Sequence, residues 1–198
     1  MKKGIAFFDF DGTITTKDTF LEFIRFSKGN LRFYTGLLLN LPYLVAFKIK
    51  LIPNQKAKEK VLQFFFKDVS VTDFQEQCTL FALKFLPKLI RPKAIEEIKK
   101  LQQEGTVVVV VSASAENWIQ NWAHDFGVEL IASRLEVADK KLTGRLIGTN
   151  CRGKEKVRRI LEKYSVSDYA EVYAYGDSKG DEEMLKLAKY AFYKPFRQ

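Results

Sequence analysis

Two aspartates separated by one residue, Asp9 and Asp11, are the side chains of this 198-residue sequence that are best placed to do chemistry. They follow the apolar segment 5–8 and lead into Gly12. Residues two apart on a strand share a face, so both carboxylates can point the same way where the strand ends. Two close carboxylates repel each other, and a divalent cation such as Mg²⁺, which prefers oxygen ligands, removes that repulsion. The alternative is an Asp-Gly turn after a buried strand.

Two further segments carry groups that can hold an anionic oxygen. Ser112 follows the β-branched run 106–111, and a hydroxyl there, next to a helix N-terminus, suits an anion. Ser114 is interpreted instead as the cap of the next helix. Lys156 lies in the first turn of a predicted helix, where a cation is mildly unfavourable unless it has an anionic partner. Lys154 is a competing candidate, and a lone lysine is usually a solvated surface group.

Acidic residues also follow a predicted strand near the C-terminus. Asp177 comes directly after Gly176, and Asp181 comes four residues later. Glycine at such a turn lets the backbone approach a ligand closely. The acids at 181–183 would also favour the dipole of a helix that begins there. That explanation does not cover Asp177, which lies on the strand-end turn, so we interpret Asp177 as a functional candidate.

The spacing of apolar residues changes along the chain. Residues 17–88 have helical spacing with no convincing strand, and Thr72 with Gln75 has the form of a capping box. Beyond them, helices are predicted over 92–104, 115–125, 154–163 and 181–188, strands over 106–111, 128–132, 171–175 and 190–193, and a hairpin across 135–146. Repeated βα units predict an α/β fold with a doubly wound parallel sheet, whose active groups lie at the carboxyl ends of the strands. The predicted domains are a core of 1–16 and 89–198 and an inserted all-helical cap of 17–88.

Composition limits the classes of function. The chain is 46% apolar with 17 Phe, enough for a sizeable core, and its net charge of +9 is dispersed without a dense basic tract, so nucleic-acid binding is not expected as the main role. Cys78 and Cys151 have no metal-type or disulfide-type spacing, and the start of the chain lacks the features of a signal peptide, so a cytoplasmic location is expected. His124, the only histidine, argues against a Ser-His-Asp hydrolase and a His-rich zinc centre.

Four motifs follow one another along the chain, on four successive βα elements. They are Asp-x-Asp-Gly-Thr, a strand-end serine, a lysine and Gly-Asp-x₃-Asp. This order resembles the haloacid dehalogenase superfamily of aspartate-nucleophile phosphatases over essentially the whole chain. The helical insertion after the first motif resembles the type I cap, and segments 133–137 and 142–145 resemble subfamily IB, which includes phosphoserine phosphatase. The resemblance implies a Rossmann-like core and Mg²⁺-dependent hydrolysis of a phosphomonoester through an aspartyl-phosphate intermediate.

The resemblance also implies a role for each matching residue. Asp9 would be the nucleophile and a metal ligand. Asp11, oriented by Thr13, would be the general acid/base, and its main-chain carbonyl would also face the metal. Ser112 and Lys156 would hold the transferring phosphoryl oxygens. The remaining roles are phosphate binding by Gly12, Thr13 and Ala113 and metal binding by Asp177 and Asp181.

The substrate is less constrained than the reaction. Asp18 lies nine residues after Asp9, where phosphoserine phosphatases commonly carry an acid for the substrate ammonium, and it is one methylene shorter than the usual glutamate. Ala113 stands where that enzyme generally has glycine, and no clear counterpart of its carboxylate-gripping cap arginine is present. A small phosphorylated metabolite, phosphoserine-like or other, is the preferred substrate class.

The apolar segment 37–47, followed by Lys48 and Lys50, leaves alternatives open. A membrane span takes about 20 apolar residues, so this shorter run, which contains a proline, is not expected to cross a bilayer. It could lie at an interface with its lysines on anionic headgroups, or it could form the core of the cap. Because some IB relatives are phosphatidylglycerophosphate phosphatases, a peripheral-membrane phospholipid monoester phosphatase is one alternative. A non-catalytic basic binding module is another.

Overall fold

The computed structural model describes residues 3–197, which form a six-stranded sheet of order β4-β3-β2-β1-β5-β6. Its strands are β1 (Ile5–Phe8), β2 (Val107–Ala115), β3 (Glu129–Ala138), β4 (Lys141–Ile147), β5 (Val172–Gly176) and β6 (Tyr190–Tyr193). All neighbouring strands in this described sheet pair in parallel except β3 and β4, which form an antiparallel hairpin. The predicted α/β fold with a parallel sheet is confirmed.

Strand β1 lies between β2 and β5 and is buried on both faces of the sheet by two apolar clusters. Alternate side chains of β1 therefore enter two different cores. Ala6 and Phe8 belong to the apolar cluster that contains Ile98 and Trp118, whereas residues 5 and 7 join the cluster on the opposite face. The helices after the insertion are α5 (Pro92–Gln103), α6 (Glu116–Asp125), α7 (Lys154–Lys163) and α8 (Glu182–Lys186).

The insertion after β1 consists of α1 (Thr19–Leu39), α2 (Leu41–Lys48), α3 (Asn54–Phe66) and α4 (Val71–Lys84). Phe23 of α1 contacts three insertion phenylalanines and stacks on Trp118 of α6, with ring centres 4.9 Å apart. On β4, a Cβ at Gly144 would lie 2.5 Å from the Cα of Gln63 in α3. The apolar core of the insertion is thus continuous with that of the sheet.

Helix α1 is not one regular helix, because its backbone leaves helical geometry at Gly29, with φ 76° and ψ 165°. This combination is almost restricted to glycine. The break separates a buried first part, with Phe23 and Ile24, from a second part that ends at Leu39. Among the helices of residues 3–197, none is both long and apolar enough to pass through a bilayer.

Two helix starts differ from the prediction. Helix α4 begins at Val71, and the Ser70 hydroxyl accepts the Asp73 amide at 3.1 Å, so the assignment of Thr72 as the cap is wrong. The assignment of Ser114 as a helix cap is also wrong, because β2 continues through Ser114 and Ala115 becomes the cap residue without a side-chain hydrogen bond. The hydroxyl of Ser114 is therefore available to the site described below.

Candidate active site

A cleft of about 640 Å³ opens where β1, β2 and β5 end. Its charged side, here called the cleft floor, consists of Asp9, Asp11, Lys156, Asp177 and Asp181. The opposite wall is largely apolar and comes from the insertion, with Phe20, Leu21, Leu37, Leu44 and Phe47. The four aspartates expected near the carboxyl ends of the parallel strands therefore meet in one place, whereas Ser112 is fully buried beside the cleft.

Lys156 is the central cation of the cleft floor and is only 1% exposed. Its ammonium donates to Asp9 Oδ1 at 2.5 Å, to Asp181 Oδ1 at 2.7 Å and to the carbonyl of Val111 at 2.6 Å. Lys154, two residues earlier on α7, is exposed to solvent. Of the two candidate lysines, Lys156 is the one that lies in the cleft.

The buried charges of the floor shift one another's pKa values. Burial raises the pKa of Asp9 to about 7, and repulsion from Asp181 and Asp11 adds to the rise while Lys156 opposes it. Burial also disfavours charge on Asp181, but Lys156 and hydrogen bonds from Ser178 outweigh it and lower the pKa of Asp181. Burial acts against the charged form of Lys156 too, yet Asp9 and Asp181 together raise the pKa of that lysine. Lys156 therefore compensates the buried charge of Asp9 only in part.

Asp177, on the turn after β5, adds a third carboxylate to the floor. Single oxygens of Asp9, Asp177 and Asp181 lie within 4.8 Å of one another. Gly12 makes room for this approach, because its φ is +80° and a Cβ there would lie 2.4 Å from Asp177 Oδ2. The amide and hydroxyl of Ser178 donate to Asp181 Oδ2 at 3.0 and 2.8 Å, which orients the acidic turn.

This donor set fits a hard divalent cation. All three side chains offer carboxylate oxygens, the ligands that Mg²⁺ prefers. Asp9 and Asp181 share the single charge of Lys156, while Asp177 pairs with Arg197, whose side chain is 44% exposed. The raised pKa of Asp9 also favours a bound cation, because burial without enough positive charge nearby disfavours the ionised carboxylate.

Asp11 is held apart from the three-carboxylate cluster. Its Oδ1 accepts the amide of Thr19 at 2.7 Å and the hydroxyl of Thr19 at 2.5 Å, both at the start of α1. Its Oδ2 accepts the hydroxyl of Ser114 at 2.6 Å, whereas Ser112 Oγ lies 3.5 Å away, at the limit of a hydrogen bond. Thr19 and Ser114 are thus contacts of the site that the sequence reasoning missed.

Two residues of the Asp-x-Asp-Gly-Thr turn make contacts other than those expected. The hydroxyl of Thr13 donates to Asp9 Oδ2 at 3.3 Å, so the structure corrects the expectation that Thr13 orients Asp11. The amide of Gly12, expected to bind phosphate, donates to Thr15 Oγ1 at 3.2 Å. The Gly12 contact closes the turn on itself, and the Thr13 contact orients the Asp9 carboxylate.

Lys58 of α3 reaches the cleft from the insertion and was not singled out in the sequence. Its ammonium donates to the carbonyl of Ala113 at 2.5 Å and lies 5.2 Å from the ring centre of Phe20. Burial lowers the pKa of Lys58 to about 8, against the attraction of Asp11 and Asp18. No local signal separates Lys58 from the other basic residues, because only the packing of α3 brings it to β2.

Asp18, expected to meet a substrate ammonium, lines the cleft and also has a structural task. It is the N-cap of α1, and its Oδ1 accepts the amide of Leu21 at 3.1 Å. Helix capping accounts for the hydrogen bond to one of its two carboxylate oxygens. A contact between Asp18 and a substrate stays a prediction.

The comparison with known families agrees with this geometry. The family model described as haloacid dehalogenase-like hydrolase matches residues 6–186. The chain belongs to this family. The prediction of a haloacid dehalogenase-type enzyme is therefore confirmed.

Relatives of this haloacid dehalogenase-like hydrolase include named phosphatases. Protein CicA of Caulobacter vibrioides is 36% identical over 192 residues, which cover 96% of this chain and 85% of CicA. A histidinol-phosphatase of Neisseria meningitidis serogroup C is 25% identical over 205 residues, covering 93% of this chain and 87% of that protein. A substrate-bound phosphoserine phosphatase structure has a TM-score of 0.65 at 23% identity, over 95% of this chain and 84% of that one, and shares the fold.

Proposed function

We propose that this chain is a Mg²⁺-dependent phosphomonoester hydrolase that acts through an aspartyl-phosphate on Asp9, with a small phosphorylated metabolite as substrate. One observation carries the proposal: Asp9 is buried, its Oδ1 lies 2.5 Å from the Lys156 ammonium, and it faces two further carboxylates. A structural ion pair alone does not account for a third carboxylate in the same cluster. The phosphatases among the relatives support the same reaction class.

In the first step, Asp9 attacks phosphorus, a carboxylate oxygen-to-phosphorus bond forms, and the bond to the leaving alkoxide breaks. The carboxylate and the phosphate dianion repel each other, so positive charge must lie near both. Lys156 supplies one such charge, with Ser112 as a hydroxyl donor and the segment Gly12–Thr13 and Ala113 as neighbours of the phosphoryl group. Mg²⁺, when bound by Asp9, Asp177, Asp181 and the main-chain carbonyl of Asp11, would supply the rest of that charge.

Asp11 would transfer the protons of both steps. It gives a proton to the leaving oxygen, and then takes one from the water that attacks phosphorus and releases the Asp9 carboxylate. Such general acid/base help is worth about 10²–10⁴ in rate. The contacts of Asp11 with Thr19 and Ser114 support this role, because they keep its carboxylate separate from the three-carboxylate cluster.

Phosphate release from a panel of phosphorylated metabolites, with Mg²⁺ and with EDTA, tests the proposal. We expect Mg²⁺-dependent release, a loss of at least about 10⁴-fold in Asp9→Asn, and a phosphoryl adduct in acid-quenched wild-type protein by intact mass spectrometry. Asp125→Asn, whose side chain is 66% exposed, is the matched control. Wild-type turnover in Asp9→Asn, or release that EDTA does not affect, would contradict the proposed chemistry. No release from any substrate would favour a binding module.

A second candidate substrate, a phospholipid monoester, is favoured by the apolar wall of the cleft. Leu37, Leu44 and Phe47 face the charged floor across the cavity, where a small polar alcohol would make few contacts. Comparing kcat/KM for lysophosphatidic acid in neutral detergent with that for phosphoserine distinguishes the two candidates. A ratio above about 10 supports the lipid class, because each buried methylene contributes about 0.8 kcal/mol.

A further inference from the structure

The outer side of the insertion exposes an unusual amount of apolar surface. Seven aliphatic side chains between residues 31 and 51 are each at least 47% exposed, and they define what we call the α1–α2 surface: Leu31, Leu38, Leu39, Leu41, Val45, Ile49 and Leu51. Helix α2 buries none of its residues, although most of them are apolar. Isolated exposed leucines are ordinary, but so many exposed apolar side chains in one segment of the chain indicate a binding surface.

The α1–α2 surface is held in place by close packing on its inner side. A Cβ at Gly36 would lie 2.2 Å from the ring of Phe65, so the second part of α1 packs directly on α3. Asn40, the buried residue between α1 and α2, donates its side-chain amide to the carbonyl of Gly36 at 2.9 Å and closes the end of α1. The second part of α1 is thus packed on its inner side, and its apolar outer side is a fixed feature of the fold.

The charged residues in and around the α1–α2 surface are all basic. Residues 23–58 contain seven Lys and Arg and no Asp or Glu, although the whole chain has 24 acidic residues. Arg32, Lys48 and Lys50 each lie next to an exposed aliphatic residue in the sequence, and all three are exposed. The surface therefore combines apolar side chains with uncompensated positive charge.

We propose that the α1–α2 surface docks on anionic lipid bilayers. Exposed apolar side chains enter the boundary between headgroups and acyl chains, and Lys or Arg beside them bind anionic headgroups. A second copy of this chain fits less well, because symmetric pairing of the same patch would bring like charges together. Helix α2, eight residues long, is about 12 Å in length, so docking is at the interface and not across the membrane.

Co-sedimentation with vesicles tests the proposal without any assay of catalysis. We expect the wild-type protein to pellet with vesicles of phosphatidylcholine and phosphatidylglycerol and to stay in the supernatant with phosphatidylcholine alone. The anionic binding should weaken with added salt, since the headgroup attraction is screened. Asp9→Asn should pellet like the wild type, so a failure of the proposed reaction leaves this result unaffected.

Two pairs of variants separate the apolar contribution from the charge contribution. Leu38→Glu with Leu39→Glu should abolish pelleting, whereas Leu83→Glu with Leu161→Glu, on α4 and α7 and at least 52% exposed, should not. Arg32→Gln with Lys48→Gln should weaken partitioning about 25-fold, or about fivefold per cation. Lys99→Gln with Lys100→Gln, exposed on α5, should leave partitioning unchanged.

Three outcomes would overturn the docking proposal. The first is no pelleting of the wild type with anionic vesicles. The second is equal pelleting of the surface variants and their controls. The third is a wild-type dimer in size-exclusion chromatography that Leu38→Glu with Leu39→Glu converts to a monomer, which would assign the surface to self-association. Thermal unfolding of each variant checks that the fold is retained.

Discussion

At the cleft floor the ammonium of Lys156 is 1% exposed and makes three hydrogen bonds, whereas on the α1–α2 surface the apolar side chain of Leu31 is 83% exposed. Charge is buried in the first region and apolar area is exposed in the second. Folding alone favours neither placement, because buried charge is costly and exposed apolar area contributes nothing to the core.

The difference between the two regions lies in how their groups are partnered. Buried charges on the floor contact one another, so removing one group leaves another uncompensated. Side chains of the α1–α2 surface contact solvent, so removing one changes little within the molecule. Substitutions in the cleft floor are therefore expected to change both activity and stability. Substitutions on the α1–α2 surface are expected to have a measurable effect only when an anionic bilayer is present.

The largest expected effect is that of Lys156→Met. It leaves Asp9 and Asp181 buried without their shared cation, so we expect a loss of about 3–5 kcal/mol in the free energy of unfolding and loss of phosphate release. Urea unfolding and the phosphate assay measure the two effects. Lys154→Met, exposed on the same helix, should change the free energy of unfolding by less than about 0.5 kcal/mol. Similar effects of the two substitutions would show that the buried position of Lys156 in the cleft floor has no special importance.

Asp11→Asn should lower the rate by about 10²–10⁴ for alkyl phosphates. The loss should be much smaller for p-nitrophenyl phosphate, because its leaving group needs little protonation. Comparing kcat for the two substrates measures this difference, and Asp125→Asn is again the control. An equal loss on both substrates would argue for a structural role of Asp11 and against proton transfer.

Gly12→Ala tests how closely the floor is packed. The new Cβ would lie 2.4 Å from Asp177 Oδ2, at a φ of +80°. We expect a loss of about 1–3 kcal/mol in the free energy of unfolding and a higher Mg²⁺ concentration for half-maximal activity. Gly148 has a φ of +70° and no atom within 4 Å of the position that a Cβ would take. Gly148→Ala should therefore cost only the strain of a positive φ in alanine, and it should leave the Mg²⁺ requirement unchanged. A Mg²⁺ requirement that Gly12→Ala leaves unchanged would count against Asp177 as a ligand.

Glu155, on α7, makes the stability of the protein depend on pH in the acidic range. Hydrogen bonds from Arg158, and then from Arg159, lower the pKa of Glu155 to about 2 although its burial opposes the shift. A depressed folded-state pKa stabilises the protein above the unfolded value near 4.5, and this stability is lost as the pH falls toward 2. Glu155→Gln should therefore be less stable by about 1–2 kcal/mol at neutral pH, a difference that shrinks on acidification. Urea unfolding across this pH range would contradict the prediction if the difference stayed constant.

The smallest expected effect is that of Leu38→Ala with Leu39→Ala on the protein in solution. Both side chains are at least 65% exposed, so the free energy of unfolding should change by less than about 0.5 kcal/mol. Phe23→Ala, at a side chain that is fully buried in the same helix, should cost about 3–5 kcal/mol. Thermal or urea unfolding measures both. A large loss in the leucine variant would show that the α1–α2 surface is part of the core.

Local patterns in the sequence were sufficient to predict much of this molecule. The β-branched run 106–111 and the alternating elements after it predicted the parallel sheet, because period and residue type report on burial at short range. The spacing of Asp9 and Asp11 placed both at the end of β1. These patterns also predicted a helical insertion of residues 17–88 after the first strand.

Tertiary structure alone decided which of several similar residues form the site. Lys156 and not Lys154 enters the cleft, Ser114 reaches Asp11 at 2.6 Å, and Lys58 contacts Ala113 from 55 residues away in the chain. Each of these contacts joins residues that are distant in sequence, and so depends on how whole elements pack. Spacing along the chain sets the face on which a side chain lies, but only the packing of helices and strands sets what that face meets.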